Sequence, residues 1–224
     1  NDLFGIKDAD EWNYPRTFLS SDGNIVGISY NKTWVMDFKN NYNVFKTGEI
    51  PLVKSGLPDE FFQSNYSHAK HSHMNNKSDE KHEVENIKLL TIGSPVGPKS
   101  SAVMIEKDKV LVFGGKQTGK QYAPSNKVYL IDFSNSFKPK IEELNSLNFA
   151  RANGNATLLP DGTIFVNGGN SYSESYSVFP PEIYNPKNQT VKEMSEGRFR
   201  RNYHATSLLL PDGRILVAGG DVWN

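Results

Sequence analysis

A hairpin with a tight turn recurs four times along the chain, and this repeat constrains the fold more than any other feature. Each copy has an apolar strand, a turn at or near Asp-Gly, and a second apolar strand. The copies cover residues 17–28, 101–115, 155–169 and 201–220. Asp-Gly favours a hairpin because glycine accepts the positive φ that tight turns require. The sequence therefore predicts hairpins repeated in series.

Three of the four hairpins end in a pair of glycines. These pairs are Gly114-Gly115, Gly168-Gly169 and Gly219-Gly220, whereas the first copy has Ser29-Tyr30 in the same place. Glycine at the end of a strand is typical of a bulge or of a close approach by another backbone. We therefore expect another segment to pass close to each glycine pair.

A second pair of short strands is predicted after each complete hairpin. The predicted pairs are residues 33–38 with 42–45, 127–133 with 140–144, and 181–186 with 190–194. Four short strands in about 50 residues is the period of a kelch-type propeller blade. The predicted fold is all-β, with blade-like repeats at residues 12–54, 97–146 and 149–197 and an incomplete repeat at residues 201–224.

The number of repeats predicts a partial propeller. Propellers typically have four to eight blades, and this chain supplies about three and a half. An unclosed propeller exposes strand edges and one sheet face. We expect the remaining blades to lie in a longer chain or in a second chain.

Composition excludes several classes of function. The formal net charge is +0 and there is no cysteine. A nucleic-acid partner would usually require a basic excess, and disulfide or thiolate chemistry requires cysteine. No apolar run approaches the length of a membrane span. Five Asn-x-Ser/Thr sequons favour an extracellular or secreted protein, at Asn31, Asn65, Asn76, Asn155 and Asn188.

Residues 55–95 interrupt the repeat with a polar, histidine-rich insertion that is predicted to be a surface loop. His68, His71 and His73, with acidic residues nearby, have a spacing that suits Zn or Cu. The alternative is a solvated insertion in which these histidines are ordinary polar residues. The sequence pattern favours the solvated insertion.

Tyr203 and His204 are adjacent and directly precede the first strand of the last hairpin. In propellers, the loops at one end of the innermost strands surround the axial channel where ligands bind. A phenol oxygen and an imidazole nitrogen are a suitable pair of copper ligands. The alternative is that both side chains pack between blades or hydrogen-bond a loop.

The block from Arg201-Asn202-Tyr203-His204 to Asp212-Gly213-Arg214 resembles the galactose oxidase and glyoxal oxidase group of copper-radical oxidases. Their catalytic domain is a seven-bladed kelch propeller. Supporting matches are residues 180–186, 156–162 and 101–104 and Tyr14-Pro15. The resemblance spans nearly the whole chain except the histidine-rich loop.

The resemblance implies oxidation of a primary alcohol, aldehyde or carbohydrate by O2, giving H2O2 at a copper–tyrosyl radical site. It implies that Tyr203 is the axial copper ligand and a catalytic residue, and that His204 is an equatorial ligand. The family's second histidine and its Tyr–Cys cofactor have no match among these residues, which include no cysteine. Activity would therefore require the missing half. The alternative is a non-catalytic propeller that binds carbohydrate or protein.

Overall fold

The computed structural model describes residues 15–51, 99–116, 124–171 and 177–220. These ranges contain fourteen β-strands and no helix, so they contain no helix suited to crossing a membrane. The all-β prediction is confirmed.

The strands form three four-stranded antiparallel sheets and one hairpin, and in each sheet neighbouring strands follow one another in the chain. This order is that of successive propeller blades. The first blade comprises β1 (Arg16–Leu19), β2 (Ile25–Ser29), β3 (Lys32–Asp37) and β4 (Asn43–Glu49). The second comprises β5 (Ser101–Glu106), β6 (Lys109–Phe113), β7 (Val128–Asp132) and β8 (Lys140–Leu144). The third comprises β9 (Asn155–Leu158), β10 (Ile164–Asn167), β11 (Glu182–Asn185) and β12 (Thr190–Glu193), and the fourth has β13 (Ala205–Leu209) and β14 (Ile215–Gly219).

The Asp-Gly turns close the hairpins as the sequence indicates. Gly162 has φ +82°, and no atom lies within 4 Å of the Cβ that a larger residue would carry there. Asp161 Oδ1 accepts a hydrogen bond from Thr163 N at 2.9 Å. Asp212 and Arg214 repeat this contact in the fourth blade at 3.1 Å. The aspartate therefore stabilises the turn that the glycine makes sterically accessible.

Apolar side chains fill the spaces between successive blades. One cluster joins the first and second blades: Val26, Ile28, Val35, Ile50, Val110, Val112, Tyr129, Ile131 and Phe133. A second joins the second and third blades: Leu111, Phe113, Val128, Leu147, Ile164, Val166 and Tyr184. Because the strands are short, burial between sheets supplies the main stabilisation of each blade.

Two of the glycine pairs lie against the segment that enters the next blade. A Cβ on Gly114 would be 2.3 Å from Arg151 O, and Gly115 N donates to the same oxygen at 2.8 Å. A Cβ on Gly168 would likewise be 2.3 Å from Arg201 O, and Gly169 N donates to that oxygen at 2.7 Å. The expected close backbone approach is confirmed, and it connects consecutive blades.

The boundaries of the repeats and of the insertion stay predictions. Residues 52–98 are not described, so His68, His71 and His73 lie outside the described residues. The structure therefore does not test either interpretation of the histidine-rich loop.

Candidate metal centre

The first strand of each blade lies on the inside of the array. β9 contacts β5 on one side and β13 on the other. Contacts join the beginnings of these strands, since Asn153 N donates to Lys99 O at 2.9 Å and Ala156 N donates to Ser101 Oγ at 2.9 Å. The inner strands therefore begin at one common end, and the residues that precede them lie together there.

Tyr203 and His204 occupy a turn at this end. Ala205 N donates to Asn202 O at 3.1 Å and closes the turn. His204 has φ +62°, and a positive φ at the third turn residue is characteristic of type II turns, which usually place Gly or Asn there. A left-handed histidine costs about 1–3 kcal/mol unless the surroundings compensate. The local conformation of His204 is therefore imposed by its surroundings.

Backbone contacts on both sides hold this turn. Arg201 O accepts the bond from Gly169 N in the third blade, and Arg201 Nη1 donates to Gly219 O at 3.0 Å. A Cβ on Gly219 would be 2.7 Å from His204 O. The absence of a side chain at Gly219 therefore allows the histidine backbone to approach β14.

The two aromatic rings lie side by side. Their centroids are 3.7 Å apart and their planes differ by 30°. Tyr203 is half-buried, whereas His204 is exposed. The turn therefore presents a phenol oxygen donor and an imidazole nitrogen donor in the same region, and both ligand types suit copper.

Two cationic side chains at the end where the inner strands begin were not anticipated as site residues, and one of them contacts Tyr203. Lys99 Nζ is 6.0 Å from the centroid of the Tyr203 ring, which is within the range of a cation–π attraction. Arg16 Nη2 donates to Ser100 O at 2.5 Å, and burial lowers the pKa of Arg16. The sequence could have indicated both residues, because Arg16 begins an inner strand and Lys99 lies just before one, as Tyr203 does. Only the fold shows that Lys99 reaches past the third blade to the fourth.

The described residues supply a partial set of metal ligands. Within residues 15–51, 99–116, 124–171 and 177–220, no group of three or more His, Cys, Asp or Glu side chains is placed to hold a metal ion. The donor types of Tyr203 and His204 suit copper, and both residues belong to one anchored turn. Further ligands would have to come from other residues.

The repeated four-stranded antiparallel blades define a partial β-propeller. The family profile described as glyoxal oxidase N-terminus matches residues 3–224. The chain belongs to this family, which confirms the resemblance found in the sequence.

Known proteins match parts of this family region. The chain is 34% identical over 128 residues to a galactose oxidase of Gibberella zeae, covering 54% of this chain and 19% of the relative. It is 27% identical over 234 residues to aldehyde oxidase GLOX1 of Arabidopsis thaliana, covering 97% of this chain and 34% of the relative. The match thus spans about a third of the length of GLOX1 and about a fifth of the length of the galactose oxidase.

A solved structure shows the same fold. It is described as a novel fungal alcohol oxidase with catalytic diversity among the AA5 family, in complex with copper. The TM-score is 0.50 at 18% identity, covering 92% of this chain and 58% of that chain.

Proposed function

We propose that this chain is part of a copper-radical oxidase and that Tyr203 and His204 are two of its copper ligands. The observation that carries the proposal is the anchored turn that brings both donors together at the inner end of the blades. Family membership supports the choice of copper over other metals. Tyr203 would hold the metal through its phenol oxygen, and His204 would hold it through an imidazole nitrogen.

The proposed reaction oxidises a primary alcohol to an aldehyde, or an aldehyde hydrate to an acid. The substrate loses two electrons and two protons, and O2 gains them to form H2O2. Bound copper would supply one-electron redox chemistry. The residues of this chain would hold that metal at a fixed place, and half-burial of Tyr203 would limit access of water to its ring. The names of the relatives support an alcohol, aldehyde or carbohydrate substrate. The Asn-x-Ser/Thr sequons support an extracellular location.

We propose that further blades complete the site. Leu208 and Leu216 are cross-strand partners on one face of the fourth hairpin, and they are 54% and 46% exposed. In the second blade, Leu111 of β6 occupies the position equivalent to Leu216, and it is completely buried against the third blade. An adjacent blade would cover the exposed leucines and bring further ligands to the inner end. The intact mass of the native protein tests this arrangement, and a native mass equal to that of this chain alone would contradict it.

Copper titration of the full-length protein tests the metal site. We expect Tyr203→Phe and His204→Ala each to weaken copper binding by more than about tenfold, since even the loss of an outer-shell partner costs 10- to 100-fold. Tyr42→Phe is the matched control, because Tyr42 is exposed on the turn between β3 and β4. Parental affinity in both site variants would contradict the proposal.

Hydrogen peroxide formation distinguishes the oxidase from a non-catalytic propeller. We expect the copper-loaded parent to release H2O2 with a primary alcohol or aldehyde, and Tyr203→Phe to lose most of this activity. A parent that binds copper through both residues but forms no H2O2 with any substrate of these classes would favour the binding propeller.

A further inference from the structure

The sequons of this chain differ sharply in their accessibility. Three of them lie in the described ranges, at Asn31, Asn155 and Asn188. A folded protein can carry an N-linked glycan only where the side-chain amide nitrogen faces solvent, because the sugar is bulky and hydrophilic. Burial of that nitrogen therefore decides which sequons are compatible with the fold.

Asn31 and Asn155 have inaccessible amide nitrogens. Asn31 is 5% exposed, and its Nδ2 donates to Ile50 O at 3.1 Å. Asn155 begins the inner strand β9, and its Nδ2 is a buried atom. Thr157 of the same sequon donates from Oγ1 to Ser207 Oγ in the next blade at 2.9 Å. A glycan at either asparagine would have to displace packed residues.

Asn188 has the opposite environment. It is exposed in the turn that joins β11 to β12, and β12 is the outermost strand of the third blade. Its Oδ1 accepts hydrogen bonds from Thr190 Oγ1 at 2.8 Å and from Thr190 N at 3.2 Å. Its Nδ2 makes no hydrogen bond to any residue in the described ranges.

The turn is held in place by its neighbour Gln189. Gln189 Oε1 accepts from Asn145 N at 2.9 Å, and Gln189 O accepts from Asn145 Nδ2 at 3.2 Å. These contacts fix the turn against the second blade. The outer edge carries Asn188, whereas Tyr203 and His204 lie at the inner end of the blades. A glycan at Asn188 is therefore compatible with an open metal centre.

From this contrast, we propose that Asn188 is an N-glycan acceptor and that Asn31 and Asn155 are not modified in the folded protein. In the transfer step, Asn188 Nδ2 bonds to the anomeric carbon of a lipid pyrophosphate-linked oligosaccharide. The bond from that carbon to the pyrophosphate oxygen breaks, the lipid pyrophosphate leaves, and Nδ2 loses one proton. In the folded turn, Thr190 Oγ1 donates to the amide oxygen of Asn188 and does not occupy the amide nitrogen.

The inference rests on the proposed extracellular location, and the test separates the two. The full chain is secreted from a eukaryotic cell behind a heterologous leader, with Asn65→Gln and Asn76→Gln included so that only the described sequons can react. Occupancy is read by peptide mass spectrometry after enzymatic deglycosylation in heavy-oxygen water. We expect carbohydrate at Asn188 and none at Asn31 or Asn155 in the soluble fraction.

Variants at the sequon give the decisive comparison. Asn188→Gln and Thr190→Ala should abolish the modification, whereas Thr190→Ser should retain it because serine keeps the hydroxyl. Copper titration of the full-length Asn188→Gln protein should match the parent, so a failed copper site and a failed glycan site give different results. Soluble, secreted protein with unmodified Asn188, or with carbohydrate on Asn31 or Asn155, overturns the inference.

Discussion

Arg151 and Glu182 form a buried ion pair in which Arg151 Nη2 lies 2.6 Å from Glu182 Oε2 and the side chains are only 1% and 0% exposed. Arg151 belongs to the segment that enters the third blade, and Glu182 begins the third strand of that blade. Arg151 Nη1 also donates to Gly168 O at 2.7 Å, and Glu182 Oε1 accepts from Asn148 N at 2.6 Å. The pair therefore connects the entry segment, β10 and β11.

We expect removal of either partner of this pair to destabilise the third blade. Loss of one member of a buried ion pair leaves an uncompensated charge and typically costs about 3–5 kcal/mol. Arg151→Met and Glu182→Gln should each lower the free energy of unfolding by about that amount in urea titrations. Glu49→Gln breaks the exposed pair of Lys46 and Glu49 and should cost less than about 1 kcal/mol. Equal effects at the buried and exposed pairs would contradict this prediction.

Arg201 repeats part of this arrangement in the fourth blade. Its carbonyl accepts from Gly169 N as that of Arg151 accepts from Gly115 N, and its guanidinium donates to Gly219 O as Arg151 donates to Gly168 O. In the described residues no carboxylate pairs with Arg201. We expect a third strand of this blade to supply one at the position equivalent to Glu182.

Arg201→Met in the full-length protein tests this expectation. The variant should lose about 3–5 kcal/mol of stability if a buried carboxylate is left without its partner. Arg214→Met is the control, because Arg214 and Asp212 form an exposed pair. A cost for Arg201→Met as small as that for the control would mean that no buried carboxylate faces Arg201.

The glycine pair of the third blade is predicted to tolerate no side chain. Gly168 has φ +64°, and a Cβ on it would lie 2.3 Å from Arg201 O. Gly162 has φ +82°, and no atom lies within 4 Å of the Cβ that it would carry. Gly162→Ala should therefore cost only the left-handed penalty of about 1–2 kcal/mol. Gly168→Ala should cost about 1–3 kcal/mol more, because it also forces the backbone apart. Thermal unfolding measures both, and equal costs would exclude a close interblade contact.

Two buried phenols predict a loss of stability in alkali. Burial raises the pKa of Tyr129 to about 12. The Glu143 carboxylate contributes to this increase through its negative charge and the hydrogen bond that it accepts from the Tyr129 hydroxyl at 3.1 Å. Burial also raises the pKa of Tyr184 to about 12. A folded-state pKa raised above the unfolded value of about 10 gives stability that is complete below pH 10 and is lost as pH rises toward 12. The loss can reach about 1.4 kcal/mol per pH unit for each phenol.

Unfolding free energies measured from pH 9 to 11.5 check this slope. Tyr129→Phe and Tyr184→Phe should each reduce the slope of the unfolding free energy against pH by the contribution of about one proton. The double variant should remove most of the alkaline slope. Tyrosinate absorbance gives an independent titration of the same groups. An unchanged slope in the double variant would contradict the prediction.

Lys99 is predicted to weaken copper binding. Its ammonium lies 6.0 Å from the Tyr203 ring, and a cation at this range repels a divalent ion with an energy that the surrounding dielectric and salt reduce. Lys99→Met in the full-length protein should raise copper affinity by about three- to tenfold, with the gain shrinking at high salt. Lys140→Met, on the outer strand β8, should leave the affinity unchanged. Equal affinities for Lys99→Met and the parent would exclude this electrostatic effect.

The regular features of the fold were predictable because they depend on local chemistry. Asp161-Gly162 and Asp212-Gly213 define their turns through a positive φ and a side-chain contact two residues on. Short runs of apolar residues then define strands on either side. The glycine pairs indicated a close approach, but the sequence did not show that Arg151 O and Arg201 O are the atoms that approach.

The sequence by itself determined the repeated hairpins, the all-β class and the adjacency of Tyr203 and His204. The tertiary structure decided that both residues share one closed turn and that Lys99 of the second blade lies beside the Tyr203 ring. It also decided that Asn188 is exposed, whereas Asn31 and the amide nitrogen of Asn155 are buried. The physical reason is the distance along the chain over which each kind of interaction acts. Turn and strand preferences act over a few neighbouring residues, whereas burial and ring contacts depend on how separate blades pack against each other.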